Sequence, residues 1–306
     1  MSLALLFPGQ GVQHPDMLRW LDRHPLAEPT LALMAAEIGA DWRARLHDPE
    51  WATGNRVAQC LLTGVALAAW QALAPQLPEP VAVAGYSVGE LAACSAVGVY
   101  GAPDALHLAR RRAEVMDDSA AGVDSGLVSA SGVPEAVVAA LCARLDLAVA
   151  IRLGPERWVL GGLSCALARA ATELAGLGAD LVPLRVQVAS HTPLMRVAAD
   201  AFAQLIEPMP WRASRALVVT NLDGEGQRQP LALKRALARQ IASTVQWHRC
   251  LETLAERMPR CVLEVGPGCT LSRMWAAGHA DVPVRSVDEF HSAEAVVAWV
   301  RKTLDR

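Results

Sequence analysis

Val81-Ala82-Val83-Ala84-Gly85-Tyr86-Ser87-Val88-Gly89-Glu90 joins an apolar run to a glycine-flanked turn and then to a helical pattern that continues to Val97. A short apolar run without polar alternation reads as a strand buried on both faces. Gly-x-Ser-x-Gly between strand and helix is the setting of a nucleophile elbow, in which the glycines permit a tight turn and the serine rises at the C-terminal edge of the sheet. The Val88 backbone N–H and the positive end of the following helix would then face a developing oxyanion. Ser87 is the candidate nucleophile.

Outward from this stretch, further apolar runs at Leu3–Phe7, Ala216–Thr220 and Cys261–Val265 each lead into a turn containing Gly, Ser or Asn. Helical patterns lie at about 57–74, 88–97, 103–119, 193–205, 247–257 and 293–304. The alternation predicts an α/β fold with a mainly parallel sheet. The rhythm changes once. Residues 126–130, 135–144, 147–152, 158–161, 165–177 and 181–185 read as strand, helix, strand, strand, helix, strand, the order of a ferredoxin-like unit. The expected organisation is a catalytic body of residues 1–123 and 190–306 with a ferredoxin-like insert of residues 124–189, the chain crossing between them at 122–126 and 186–190.

Phe7-Pro8-Gly9-Gln10-Gly11 closes the first strand with too few glycines for a dinucleotide fingerprint and no lysine for a phosphate loop. If this edge lies beside Ser87, the Gln10 N–H is a second oxyanion donor. In the helix at 103–119, helical phase puts Arg111 with Asp104, His107, Glu114 and Asp118, whereas Arg112 falls with Ala105, Leu108, Ala109, Val115, Met116 and Ser119 on the core-facing stripe. A cation there needs an anion, and no carboxylate of its own helix shares the stripe. The partner is either a distant Asp or Glu or the carboxylate of a bound ligand. His191 follows the strand-like 186–189 and precedes a helix opening at Thr192-Pro193, a position suited to a general base. His248, His279 and His291 are the other base candidates, while His14, His24, His47 and His107 suggest only exposure.

Composition narrows the classes. Twenty-eight cations, all arginine except Lys234 and Lys302, stand against 31 anions, and a net charge of −3 holds no polyanion, so no nucleic-acid partner is expected. The first apolar stretch is short and cut by Pro8, and the longest, about Cys60–Ala74, is too short for a bilayer, so neither a signal peptide nor a membrane partner is expected and the cytoplasm is the expected location. Seven cysteines without a CxxC or a suitably spaced histidine point to a reducing compartment and no metal site.

FPGQG at 7–11, GYSVGE at 85–90, RAEVM at 112–116, ASH at 189–191, VQW at 245–247 and EVGPG at 264–268 together resemble the malonyl-CoA:acyl carrier protein transacylase family, in order and spacing over essentially the whole chain. The resemblance implies an α/β-hydrolase-like body with a ferredoxin-like insert. It makes Ser87 the acyl acceptor, His191 its base, the Gln10 and Val88 amides the oxyanion hole, Arg112 the partner of the malonyl carboxylate and Gln246 the residue whose backbone carbonyl orients the histidine. It implies malonyl-CoA and CoA as substrate and product, no tightly bound cofactor, and an acyl carrier protein with a CoA-derived prosthetic group as partner.

The chain departs from the family at Tyr86, where histidine is usual, and at 153–162, which lacks the usual Asn and Gln. GYSVGE, with QHPDML at 13–18, WHRCLE at 247–252 and LSRM at 271–274, looks like the transacylase (epsilon) subunit of malonate decarboxylase. A fatty-acid-synthesis transacylase would share every catalytic residue and differ in its carrier. A serine esterase or thioesterase would instead use a late histidine such as His279 or His291 and give Arg112 no role.

Overall fold

The computed structural model describes residues 2–184 and 188–305. Its larger sheet has six strands: β1 (Leu3–Phe7), β2 (Ala82–Gly85), β7 (Leu217–Val219), β8 (Gly226–Gln227), β9 (Cys261–Glu264) and β10 (Val284–Ser286), in the order β10-β9-β1-β2-β7-β8. All neighbours are parallel except the edge pair β7–β8. The mainly parallel sheet follows from the apolar runs. Leu3, Leu5 and Phe7 pack into the core on one face while Ala4 and Leu6 pack into a second core on the other, so neither face of β1 tolerates polar alternation.

The helix Asn55–Leu73 lies in the first core, packed against the helices Glu28–Ile38 and Ala102–Ala120. It is longer than the apolar run suggested. With the turn that follows, Asn55–Gln76 is apolar and long enough to cross a bilayer, yet 83% of its most apolar 18-residue stretch is buried within the fold, which makes it a core helix. Small residues allow its close approach: a Cβ at Gly64 would sit 2.6 Å from Met34.

The remaining strands form a separate antiparallel sheet: β3 (Ser125–Ser131), β4 (Ala148–Gly154), β5 (Arg157–Leu163) and β6 (Asp180–Pro183), in the order β4-β5-β3-β6. Helices Glu135–Leu145 and Ser164–Gly176 connect them and pack on one face around Leu141, Trp158, Leu160 and Leu174. The strand–helix–strand–strand–helix–strand order is as expected. This unit is tied to the larger one where the Val245 N–H donates to the Ala150 carbonyl and the Arg152 N–H to the Val245 carbonyl, each at 2.9 Å. The end of the expected last strand and the start of the second crossing, residues 185–187, lie outside the described residues; residues 188 and 189 are not strand, and His191 sits in a turn.

Candidate active site

β2 ends at Gly85 and the next helix, Gly89–Ala96, begins four residues later, so the chain reverses within Tyr86-Ser87-Val88. The strain is carried by the serine, whose φ of 54° lies in the left-handed region that side chains disfavour. The glycines supply space. A Cβ at Gly85 would stand 2.1 Å from the Gly89 carbonyl carbon, and one at Gly89 would stand 2.2 Å from the Phe7 carbonyl oxygen on β1. Asn221, just beyond β7, spans the turn, accepting the Ser87 N–H on Oδ1 at 2.7 Å and donating from Nδ2 to the Gly85 carbonyl at 2.6 Å.

Ser87 Oγ lies 2.8 Å from His191 Nε2. His191 is 2% exposed, has a φ of 63°, and is anchored by its N–H to the Ile241 carbonyl at 2.8 Å. Its Nδ1 lies 2.6 Å from the carbonyl of Gln240, which leaves Nε2 as the acceptor facing the hydroxyl. The orienting carbonyl is therefore that of Gln240, six residues before the expected Gln246. The Gln246 carbonyl accepts the Cys250 N–H in the first turn of the helix Trp247–Ala255, and the Gln246 N–H donates to Asn221, so that residue serves the helix start. Burial, reinforced by the charge of Arg112 and opposed by the Gln240 carbonyl, lowers the His191 pKa to about 3, so the imidazole is a neutral base at physiological pH.

Arg112 lies on the buried stripe that helical phase assigned to it, 1% exposed. One guanidinium nitrogen donates to Gln59 Oε1 at 2.8 Å, another approaches Ser87 Oγ at 3.5 Å and Gln240 Oε1 at 3.4 Å, and Nε has no partner. Among the described residues no carboxylate forms an ion pair with it, whereas Arg110 and Arg111 both pair with Glu114 near the surface. Burial lowers its pKa to about 10 against the influence of Glu90, so it stays charged. The outcome is a buried cation beside the nucleophile with unused donors.

The Gln10 and Val88 backbone N–H groups donate to nothing among the described residues. Tight contact of the two loops brings them to one edge: a Cβ at Gly9 would lie 2.6 Å from the Tyr86 carbonyl oxygen. The Gln10 side chain donates to Asn55 Oδ1 at 2.9 Å, which also accepts from Gln59 Nε2 at 2.8 Å, and Gln59 holds Arg112. Tyr86 packs edge-on against Trp247, ring centroids 5.0 Å apart. A groove of about 500 Å³ opens beside Gln10, walled by His14, His47 and Asn55 of the body and by Pro183 and Leu184 of the smaller unit, which gives two histidines assigned only exposure a place on its wall.

None of the other base candidates contacts Ser87. His248 is half-buried near Arg152 and Glu252, His279 lies tilted against Trp275 with ring centroids 4.5 Å apart, and His291 is exposed. Sequence reasoning missed Gln240, Asn221 and Gln59. Gln59 could have been flagged as a polar side chain in an apolar helix; the other two lie in turns without periodicity.

An elbow serine against a buried neutral histidine, with free backbone N–H groups at a helix N-terminus, is the apparatus of an enzyme that passes acyl groups through a serine ester. The chain belongs to the acyl transferase domain family, whose model matches residues 5–305. It is 31% identical over 280 residues, 89% of this chain and 91% of the relative, to the malonyl CoA-acyl carrier protein transacylase of Salmonella typhimurium. The crystal structure of the malonyl-CoA:acyl carrier protein transacylase of Xanthomonas oryzae is similar with a TM-score of 0.90 and 31% identity, covering 98% of this chain and 99% of that one. A malonyl-transacylase solved in complex with a type II polyketide synthase acyl-carrier protein has a TM-score of 0.90 at 26% identity, covering 97% and 99% of the two chains.

Proposed function

We propose that this protein moves a malonyl group from malonyl-CoA to the prosthetic thiol of an acyl carrier protein through a malonyl ester on Ser87. The observation that carries the substrate is Arg112, a buried cation within reach of Ser87 Oγ whose donors no protein carboxylate uses. A malonyl carboxylate would supply the missing anion, and the thioester would then lie over Ser87.

His191 Nε2 takes the Ser87 proton as Oγ attacks the thioester carbonyl, and the Val88 and Gln10 N–H groups hold the oxyanion. Collapse breaks the C–S bond, and His191 returns the proton to the departing CoA sulfur. The carrier thiol then attacks the ester, its proton passing to His191 and on to Ser87 Oγ, so the enzyme is regenerated in a ping-pong cycle. The Gln240 carbonyl stabilises the imidazolium as it forms, the role a carboxylate has in a Ser-His-Asp triad. These residues suffice without a tightly bound cofactor or metal.

The two sheets support reading the body, 1–123 and 190–306, as α/β-hydrolase-like and the insert, 124–189, as ferredoxin-like, with the groove between them as the route for a pantetheine arm. The relatives, malonyl transacylases that act with acyl carrier proteins, support an acyl carrier protein as partner, and the GYSVGE, QHPDML, WHRCLE and LSRM stretches favour the carrier subunit of a malonate decarboxylase over that of fatty-acid synthesis. The cytoplasm, where CoA thioesters are used, is the fitting location.

The fate of the acyl group is the test. Protein loaded with malonyl-CoA and freed of CoA is mixed with phosphopantetheinylated carrier, and malonyl should appear on the carrier thiol. Release of free malonate at the same rate with or without carrier would make the protein a hydrolase.

A further inference from the structure

Glu90 is 1% exposed on the first turn of the elbow helix, three residues after Ser87, and the acyl-transfer steps above do not use it. Its two carboxylate oxygens are both engaged by nitrogen donors: Oε1 accepts the Asn221 N–H at 3.1 Å and Oε2 accepts from Gln240 Nε2 at 2.8 Å. The same Gln240 amide donates to the Ser87 carbonyl at 3.2 Å and accepts from Arg112 at 3.4 Å. It is thus pinned from three sides, while the backbone carbonyl of that residue accepts from His191 Nδ1.

We propose that Glu90 is a positioning residue that acts through the Gln240 amide, holding the carbonyl that orients His191 in register with the Ser87 elbow. The inference rests on the Ser87–His191 pair as nucleophile and base, but not on malonyl as the substrate. A buried carboxyl group is costly to fold, and a side chain that only filled space here would be apolar. Both partners of Glu90 are N–H donors, so two acceptor oxygens are required. Glutamine at this position would turn an NH₂ group against one of those donors. Through Asn221, whose side chain spans the elbow, the carboxylate also ties the nucleophile turn to the base loop. One buried carboxyl group therefore links three segments distant in sequence: the elbow at 85–90, the turn after β7 and the turn at 240–242.

A double-mutant cycle separates this role from general support of the fold. Glu90→Gln, Gln240→Leu and the double variant are compared with the wild type by kcat and KM for malonyl-CoA. They are also compared by the rate at which an aryl sulfonyl fluoride modifies Ser87, a reaction that needs the serine–histidine pair but no malonyl group. Each single substitution should slow sulfonylation by at least about 10-fold, and the double variant should fall within about threefold of the worse single one, since the two act through one contact. For Glu90→Gln, kcat should fall while KM stays within about threefold, because the lost interaction serves the chemical step. Sulfonylation of Glu90→Gln at the wild-type rate, or losses that simply multiply in the double variant, would overturn the inference. If Glu90→Gln does not fold, Glu90→Asp, which keeps the carboxyl group and shortens its reach, takes its place in the cycle. Wild-type protein that is sulfonylated at Ser87 but never malonylated would overturn the substrate reading and leave the positioning role standing.

Discussion

Arg112 and His191 present opposite solutions to burial. The arginine keeps its charge and lacks an anion; the histidine gives up its charge and gains a carbonyl. Removing one partner of a buried ion pair costs roughly 3–5 kcal/mol, so acetyl-CoA, which leaves the guanidinium unpaired, should acylate Ser87 on the order of 10² to 10³ times less efficiently than malonyl-CoA. Arg112→Ala should abolish most of that preference, and Arg111→Ala, whose side chain pairs with Glu114, should leave it within a few fold; acyl-enzyme formation from both thioesters measures it. An unchanged malonyl-to-acetyl ratio in Arg112→Ala would place selectivity elsewhere. The histidine leads to a prediction in pH. Its free-enzyme pKa is lowered to about 3, so the base form exists throughout the range above that value, and titration of His191 should cause no loss of kcat/KM for acylation between pH 7.5 and about 5.5. A half-loss near pH 6.5 would show an imidazole titrating as if in water. Both residues were legible in the sequence because a local pattern exposes them, helical phase for Arg112 and a proline-opened helix for His191. Gln240 was not, since the atom that matters is a backbone carbonyl, which every residue possesses, and only the fold shows which one faces Nδ1.

At the scale of elements, the elbow is a strand and a helix pressed together more closely than side chains allow. Gly89→Ala would drive a methyl group into the Phe7 carbonyl of β1, a backbone atom that cannot step aside. This should destabilise the protein by roughly 1–3 kcal/mol or more and displace Ser87 from His191, so that activity falls with stability. Gly176→Ala, at the end of a helix where a Cβ meets nothing within 4 Å, should leave both near wild type, and denaturant unfolding of the two variants distinguishes them. Equal stability of the two would mean that the close approach at Gly89 is not what shapes the elbow. The strand–turn–helix was readable because burial on both faces of a strand leaves an unbroken apolar run. The helices Glu28–Ile38, Pro230–Arg239 and Thr270–Gly278 were not among the helical patterns read from the sequence. Glu28–Ile38 has apolar and polar residues on most sides, with weak 3.6-residue periodicity to detect.

In the whole molecule, the site is assembled from five distant parts of the chain: the loop after β1, the elbow after β2, the helix Ala102–Ala120 that carries Arg112, the turn before the helix Arg196–Ile206 and the turn at Gln240. The smaller antiparallel unit adds a wall of the groove through Pro183 and Leu184 without contributing to the Ser87–His191 pair. The change of rhythm between residues 124 and 189 made that unit visible in advance, because its strands pair antiparallel and its helices cover a single face. Its placement against the body, through Val245 and Ile151, depends on a contact between segments some ninety residues apart that no local pattern encodes. The central claim is that acyl transfer passes through one hydroxyl. Brief incubation with malonyl-CoA, followed by intact-mass measurement and peptide mapping, should find a single malonyl group on Ser87, none on Ser87→Ala, and its disappearance when carrier thiol is added. An adduct that persists on Ser87→Ala, or that maps to another residue in the wild type, would contradict the account.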